Sequence, residues 1–116
     1  MKNAETFWTW FAKIAAGLLI LVILGVHFVV NHAVAPGGLL SYADVVRYYQ
    51  NPLIVVMEIA FLVFVVSHAL LGLRSILIDL NPSASVLRTA NWVFIALGTG
   101  AVAYGIWLAL TIAAKS

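Results

Sequence analysis

Six ionisable side chains lie within strongly apolar stretches of this sequence. They are His27, His32, Glu58, His68, Arg74 and Asp79. If these stretches cross a membrane, each such side chain is costly and is by default a candidate for function. An imidazole can bind a metal or move a proton, and carboxylate and guanidinium groups bind groups of opposite charge. These six residues are therefore the candidates for ligand binding or proton transfer.

The segment HALLGLRSILID concentrates several of these residues. At 100° per residue, Gly72, Ser75 and Asp79 fall within about 40° of His68 on a helix, whereas Arg74 points roughly 120° away. A glycine one turn from a histidine leaves a flat gap beside the imidazole. A planar ligand could fill that gap.

The spacing of the histidines argues against a chelated metal ion. His27 and His32 differ by about 140° in helical phase, so they do not share a face, and His68 lies on another segment. One imidazole per helix suits b-type haem, which takes one axial nitrogen from each of two helices. The residues alone leave two interpretations open: haem ligation, or histidines that are hydrogen-bonded packing residues.

The composition indicates a small integral membrane protein. The chain has 116 residues, of which 65% are hydrophobic and only 9% charged, and its mean hydropathy is +1.11. A net charge of +2 gives no sign of a nucleic-acid-binding surface, and the absence of cysteine excludes disulfides and thiol chemistry. The first apolar run is too long for a cleaved signal peptide and predicts a retained span.

Hydropathy predicts an all-α membrane protein, one anchor domain over residues 1–116 with three transmembrane helices. A span needs about 20 residues, and the predicted spans are about 11–34, 53–79 and 87–113, separated by the breakers APGG, NP and NPS. Between the first two spans, LLSYADVVRYYQNP predicts a short interfacial helix with Tyr42, Tyr48 and Tyr49 at headgroup level.

The distribution of basic residues predicts a cytoplasmic N-terminus. Lys2, Lys13, Arg74 and Arg88 fall on one side, against Arg47 and Lys115 on the other. Small residues in the third span, including Gly98 and Gly105, allow close helix packing or docking against a second membrane subunit.

The segment HALLGLRSILIDL resembles the second helix of membrane anchors in the succinate dehydrogenase and fumarate reductase (complex II) family. Those anchors carry His-x-x-x-Gly, often an arginine two residues later, and an aspartate eleven residues after the histidine. Here these are His68, Gly72, Arg74 and Asp79. The resemblance implies that His68 is an axial ligand of a proximal haem b. It also implies that Asp79 lies near quinone.

A second stretch, GVHFVVNHAVAPGG, is similar to the first helix of two-haem anchors. That similarity implies that His27 ligates a distal haem, with His32 as a propionate partner or an interfacial residue. Arg74, like Asp79 in the vicinity of quinone, would pair with a haem propionate, or reach lipid phosphate from the interface. Glu58 would be either a carboxyl near the interface or a proton-handling group beside the distal haem.

Two departures from the family pattern assign this chain to the smaller, D-type anchor. Leu80 replaces a tyrosine common after the aspartate, and the serine–arginine quinone signature is not clear in FAKIAAGLL, where Lys13 is the nearest basic residue. The resemblance therefore implies a second, C-type anchor that supplies much of the quinone pocket and the opposing haem ligands.

The function implied is that of a haem-binding anchor of succinate:quinone oxidoreductase, in a bacterial or archaeal cytoplasmic membrane. Flavoprotein and iron–sulfur subunits, carrying FAD and clusters, would perform the dicarboxylate chemistry and deliver electrons to quinone. Two other classes remain open: the cytochrome b anchor of another membrane oxidoreductase, such as a hydrogenase or formate dehydrogenase, and a haem-free structural anchor.

Overall fold

A computed structural model describes residues 5–34 and 40–115, and within these residues the regular structure is helical. The helices are α1 (Phe7–Phe28), continued by a π-helical turn (Val29–Val34), α2 (Tyr42–Tyr48), α3 (Pro52–Asp79) and α4 (Ala84–Ala113). Three helices are long and apolar enough to cross a membrane, and α2 lies between the first two of them. The predicted fold class is confirmed. The predicted break at 35–38 and Lys2 lie outside the described residues.

Polar caps, rather than the edges of the apolar runs, set where the helices begin. The side chains of Thr6, Asn51 and Ser83 each accept a hydrogen bond from a backbone N–H in the first turn of α1, α3 and α4. Consequently α1 begins four residues and α4 three residues before the spans that were predicted from hydropathy alone. The N-cap of α2 is Ser41, in a capping box with Asp44.

The turn between α3 and α4 follows from the asparagine in NPS. Asn81 has a φ of 51°, the left-handed conformation that commonly follows the end of a helix and that asparagine tolerates better than most residues. Pro82 then prevents α3 from continuing, and Ser83 caps α4. The short turn therefore makes α4 run back antiparallel to α3.

Helix α3 is the central helix and packs against both α1 and α4. On the α4 side, a Cβ added at Gly98 would lie 2.8 Å from Leu70 Cδ1, and one added at Gly105 would clash with Leu62. These two glycines, for which the sequence left two roles open, therefore allow α4 to approach α3 within the chain.

Very little of the chain is covered by its own packing. Within the described residues only Ala16 and Ala109 are buried, and large apolar side chains are exposed along all three spanning helices. In lipid such exposure costs little, because acyl chains are as apolar as leucine. The arrangement extends 53 Å along its longest axis, which is more than the thickness of a hydrocarbon layer of about 30 Å.

Candidate functional site

His68 lies on the side of α3 that faces α1, and its imidazole is held by backbone. Its Nδ1 lies 3.0 Å from the carbonyl oxygen of Lys13. Because a carbonyl oxygen can only accept, Nδ1 must carry the proton and donate it. In the neutral imidazole the lone pair therefore resides on Nε2, which this contact does not use. His68 is exposed on the surface of the chain, so its side chain can be approached from outside.

Gly17 on α1 makes room for the His68 ring. A Cβ added there would lie 3.0 Å from Cε1 and 3.2 Å from Nδ1 of the imidazole. At Gly72, the glycine that the sequence singled out, an added Cβ meets nothing within 4 Å. Gly17 thus fixes the imidazole on one side, and the space beside Gly72 is open.

Substituting Gly17 by valine is expected to destabilise the packing of α1 on α3, because the branched side chain must displace the His68 ring. Overpacking of this kind costs about 1–3 kcal/mol. The matched control is Gly25→Val on the same helix, where an added Cβ meets nothing within 4 Å and the change in helix propensity is the same. Unfolding in detergent, followed by circular dichroism, measures both variants. Equal effects would contradict the assigned contact.

His27 is part of a polar cluster that joins α1, α2 and α3. Its Nδ1 lies 2.9 Å from Oε1 of Glu58, and its ring stacks on Phe61 with the centroids 5.4 Å apart. The Tyr48 hydroxyl donates to the same Glu58 oxygen at 2.7 Å. Asn31 donates to the His27 carbonyl oxygen at 2.8 Å and to the Tyr48 hydroxyl at 3.3 Å. The Glu58 carboxyl thus has two hydrogen-bond partners, His27 and Tyr48.

The hydrogen-bond arrangement of this cluster assigns the His27 tautomer. The two amide protons of Asn31 are used by the His27 carbonyl and Tyr48, so neither needs the Nδ1 atom that lies 3.3 Å away. With an ionised Glu58 as the acceptor, Nδ1 donates, and in the neutral imidazole Nε2 then holds the lone pair. His27 and His68 therefore present the same ring nitrogen.

The N-terminal part of α1 and the C-terminal part of α3 are joined by a second polar cluster. Lys13 Nζ lies 3.1 Å from a Glu5 carboxylate oxygen and donates to Ser75 Oγ at 2.6 Å, while Ser75 donates to Glu5 at 2.6 Å. The hydrogen bond from Ser75 is the largest cause that lowers the pKa of Glu5, and Lys13 and Arg74 lower it further. Glu5 therefore remains an acceptor near the membrane surface.

The other predicted site residues occupy separate places. Arg74 faces α4, where its Nε donates to Asn91 Oδ1 at 2.8 Å, so it does not share the side of α3 that His68 and Ser75 occupy. Asp79 is exposed at the end of α3. His32 lies in the π-helical turn, with its ring centroid 4.8 Å from that of Phe28.

Sequence reasoning missed four residues in the surroundings of the two histidines: Gly17, Lys13, Tyr48 and Asn31. Gly17 and the backbone of Lys13 act across a helix interface, which no local pattern reveals. Tyr48, expected at headgroup level, reaches Glu58, and burial together with Glu58 raises its pKa. Asn31 could have been found, because it lies four residues after His27 and thus on the same helical face.

These features define an integral membrane subunit of three spanning helices, which presents one histidine on each of two adjacent helices. The chain belongs to the succinate dehydrogenase/fumarate reductase transmembrane subunits, whose family profile matches residues 1–114. It is 35% identical over 72 residues to the succinate dehydrogenase hydrophobic membrane anchor subunit of Archaeoglobus fulgidus, an alignment that covers 62% of this chain and 61% of that protein. No solved structure matches the chain.

Proposed function

We propose that this chain is a haem b-binding anchor of a succinate:quinone oxidoreductase, which helps to pass electrons from an iron–sulfur subunit to membrane quinone. One observation carries the proposal: His27 and His68 both use Nδ1 for a hydrogen bond within the chain. Histidines that ligate a metal commonly donate their other ring N–H to a carboxylate or carbonyl oxygen, which fixes the ring and leaves Nε2 for the metal.

The two histidines suit two separate haems. His68 lies beside Gly17, and His27 is ten residues further along α1, which is about 15 Å along the helix axis. The two imidazoles therefore cannot bind the same iron. We assign His68 to the proximal haem and His27 to the distal haem. Haem b supplies one-electron redox chemistry, which its axial ligands and burial tune.

The remaining residues have supporting roles in this proposal. The Lys13 carbonyl and the Glu58 carboxylate orient the two imidazoles, and the open space beside Gly72 accommodates the porphyrin edge. His32 is an interfacial residue or a propionate partner. Asp79, exposed at the inner end of α3, lies in the vicinity of quinone, and Ser75 holds the nearby Lys13 and Glu5 in place.

The proposal requires partner subunits. Each haem would need a second nitrogen ligand, which a C-type anchor would supply, and the exposure of His68 permits contact from outside the chain. A flavoprotein with FAD and a protein with iron–sulfur clusters dock on the cytoplasmic side, where we place the N-terminus. The whole chain, residues 1–116, forms one D-type anchor domain in a bacterial or archaeal cytoplasmic membrane.

The test is the haem content of the complex purified through this chain. Dithionite-reduced minus oxidised spectra are expected to show a b-type α-band, and the pyridine haemochrome assay is expected to give two haems per copy of the chain. One haem would contradict the role of His27, and no haem would overturn the proposal in favour of a structural anchor. Succinate-dependent reduction of a quinone analogue separates this complex from other cytochrome b assemblies.

A further inference from the structure

A cleft of about 540 Å³ lies at the inner half of the chain, mainly between α3 and α4. Its polar end consists of Thr9, Arg74 and Asn91, and its walls are otherwise mostly apolar, with side chains such as Leu70 and Phe94. The cleft is thus amphipathic, with a cation at one end. Neither His27 nor His68 lines it, so it is separate from the proposed haem sites.

Arg74 is incompletely satisfied at the polar end of the cleft. Its guanidinium is always charged, its Nε is bound to Asn91, and its Nη1 is buried without a hydrogen-bond partner in the described part of the chain. Glu5 is already engaged by Lys13 and Ser75, and Asp79 does not line the cleft. A buried cationic nitrogen without a partner is costly. An anion that enters the cleft would remove this cost once the guanidinium turns toward it.

The depth of Arg74 indicates which anion is available. Helix α3 has 28 residues and is therefore about 42 Å long, about 12 Å more than a typical hydrocarbon layer. If the excess is shared between the two ends, the hydrocarbon boundary lies about 6 Å from Asp79. Arg74 is five residues from that end, about 7.5 Å. Its side chain therefore reaches the level of the lipid phosphates.

The length of the apolar part fits an acyl chain. From Asn91 to Val102, the α4 wall of the cleft extends over twelve residues, and the eleven rises between them amount to about 16 Å. One leaflet of a bilayer contributes about 15 Å of hydrocarbon. The cleft therefore has a charged end at phosphate level and an apolar wall as long as a leaflet is thick.

We propose that this cleft binds one phospholipid of the inner leaflet, with its phosphate on Arg74 and an acyl chain along α4. Phosphate suits the site better than quinone does, because a guanidinium pairs with phosphate through charge-assisted hydrogen bonds, whereas a quinone headgroup is neutral. The proposal does not depend on haem binding. Under this proposal, the face formed by α3 and α4 binds one specific lipid and does not only contact bulk membrane lipid.

The test uses the full-length chain in mild detergent and native mass spectrometry. Three probes are added separately: dioleoylphosphatidylglycerol, dioleoylglycerol, which has the same tails without phosphate, and inorganic phosphate. We expect the chain to retain one dioleoylphosphatidylglycerol and neither of the other probes. Equal retention of dioleoylglycerol, binding of inorganic phosphate alone, or displacement of the phospholipid by decylubiquinone would each overturn the proposal.

Variants test the two ends of the cleft separately. Arg74→Gln is expected to lower phospholipid retention at least about tenfold, the loss of one hydrogen bond to a charged group, whereas Arg88→Gln, at an exposed arginine, leaves it unchanged. Ile95→Trp should fill the cleft and also lower retention. Its control is Leu97→Trp, because both side chains are 58% exposed and only Ile95 lines the cleft. Retention unchanged in both Arg74→Gln and Ile95→Trp would overturn the proposal.

Discussion

His68→Ala is expected to remove the proximal haem and to leave the distal haem in place. The substitution deletes the Nε2 ligand, while the Lys13 carbonyl and Gly17, which position the ring, remain. The proximal haem would lose the nitrogen ligand that this chain supplies, and alanine cannot replace the imidazole. The haem content of the purified complex should fall by about half, and one of the two low-spin signals in electron paramagnetic resonance should disappear.

His32→Ala is the control for this prediction. It also removes an imidazole from the chain, but from the π-helical turn beside Phe28, where we assign no iron ligation. This variant should keep both haems, because a residue that at most contacts a propionate is not a ligand of the iron. If His68→Ala and His32→Ala lose haem to the same extent, the loss reflects general damage to the anchor. If His68→Ala keeps both haems, His68 is not a ligand.

His27→Ala is expected to have the complementary effect: loss of the distal haem and retention of the proximal one. The His68 ring meets α1 at Gly17, ten residues before His27, and the two imidazoles have separate polar surroundings, so each substitution should act on one haem only. Redox titration of the α-band would show which component is missing. The component that remains should be the one that disappears in His68→Ala. Loss of the same component in both variants would contradict two separate sites.

Glu58→Gln separates ligation from orientation at the distal site. Glutamine keeps an oxygen within reach of His27 Nδ1 but removes the carboxylate charge. The loss of that charge makes the imidazole a weaker electron donor. The distal haem should therefore be retained, with its midpoint potential at fixed pH shifted upward. The potential of the proximal haem should not change. An unchanged distal potential would mean that the His27–Glu58 contact of 2.9 Å does not act on the iron.

The spans could be predicted from the sequence because a helix in lipid must form all its backbone hydrogen bonds internally. To cross the hydrocarbon layer, such a helix needs about 20 apolar residues in a row. The short α2 was also readable, from an amphipathic segment between APGG and NP. The residues at which the helices begin were harder to predict. The caps at Thr6 and Ser83 lie outside the predicted spans and act through single hydrogen bonds, which an average over many residues does not detect.

It was also predictable that His68 and Ser75 share one side of α3 and that Arg74 lies on another, because helical phase depends only on sequence separation. The residues that each of them meets were not. Gly17 and the Lys13 carbonyl are more than 50 positions from His68 in the chain, and Glu58 is 31 from His27. Such pairs depend on the register between α1 and α3.

The sequence by itself therefore determined the helices, their order and the candidate ligands, because hydropathy and helical phase are local properties. Only the tertiary structure decided which ring nitrogen each histidine offers, because the acceptors on Nδ1 come from another helix. It also decided that Arg74 lines a cleft with α4, away from His68. That arrangement results from the close approach of α4 at Gly98 and Gly105, and helix register, unlike helix formation, is set by packing between segments that are distant in the chain.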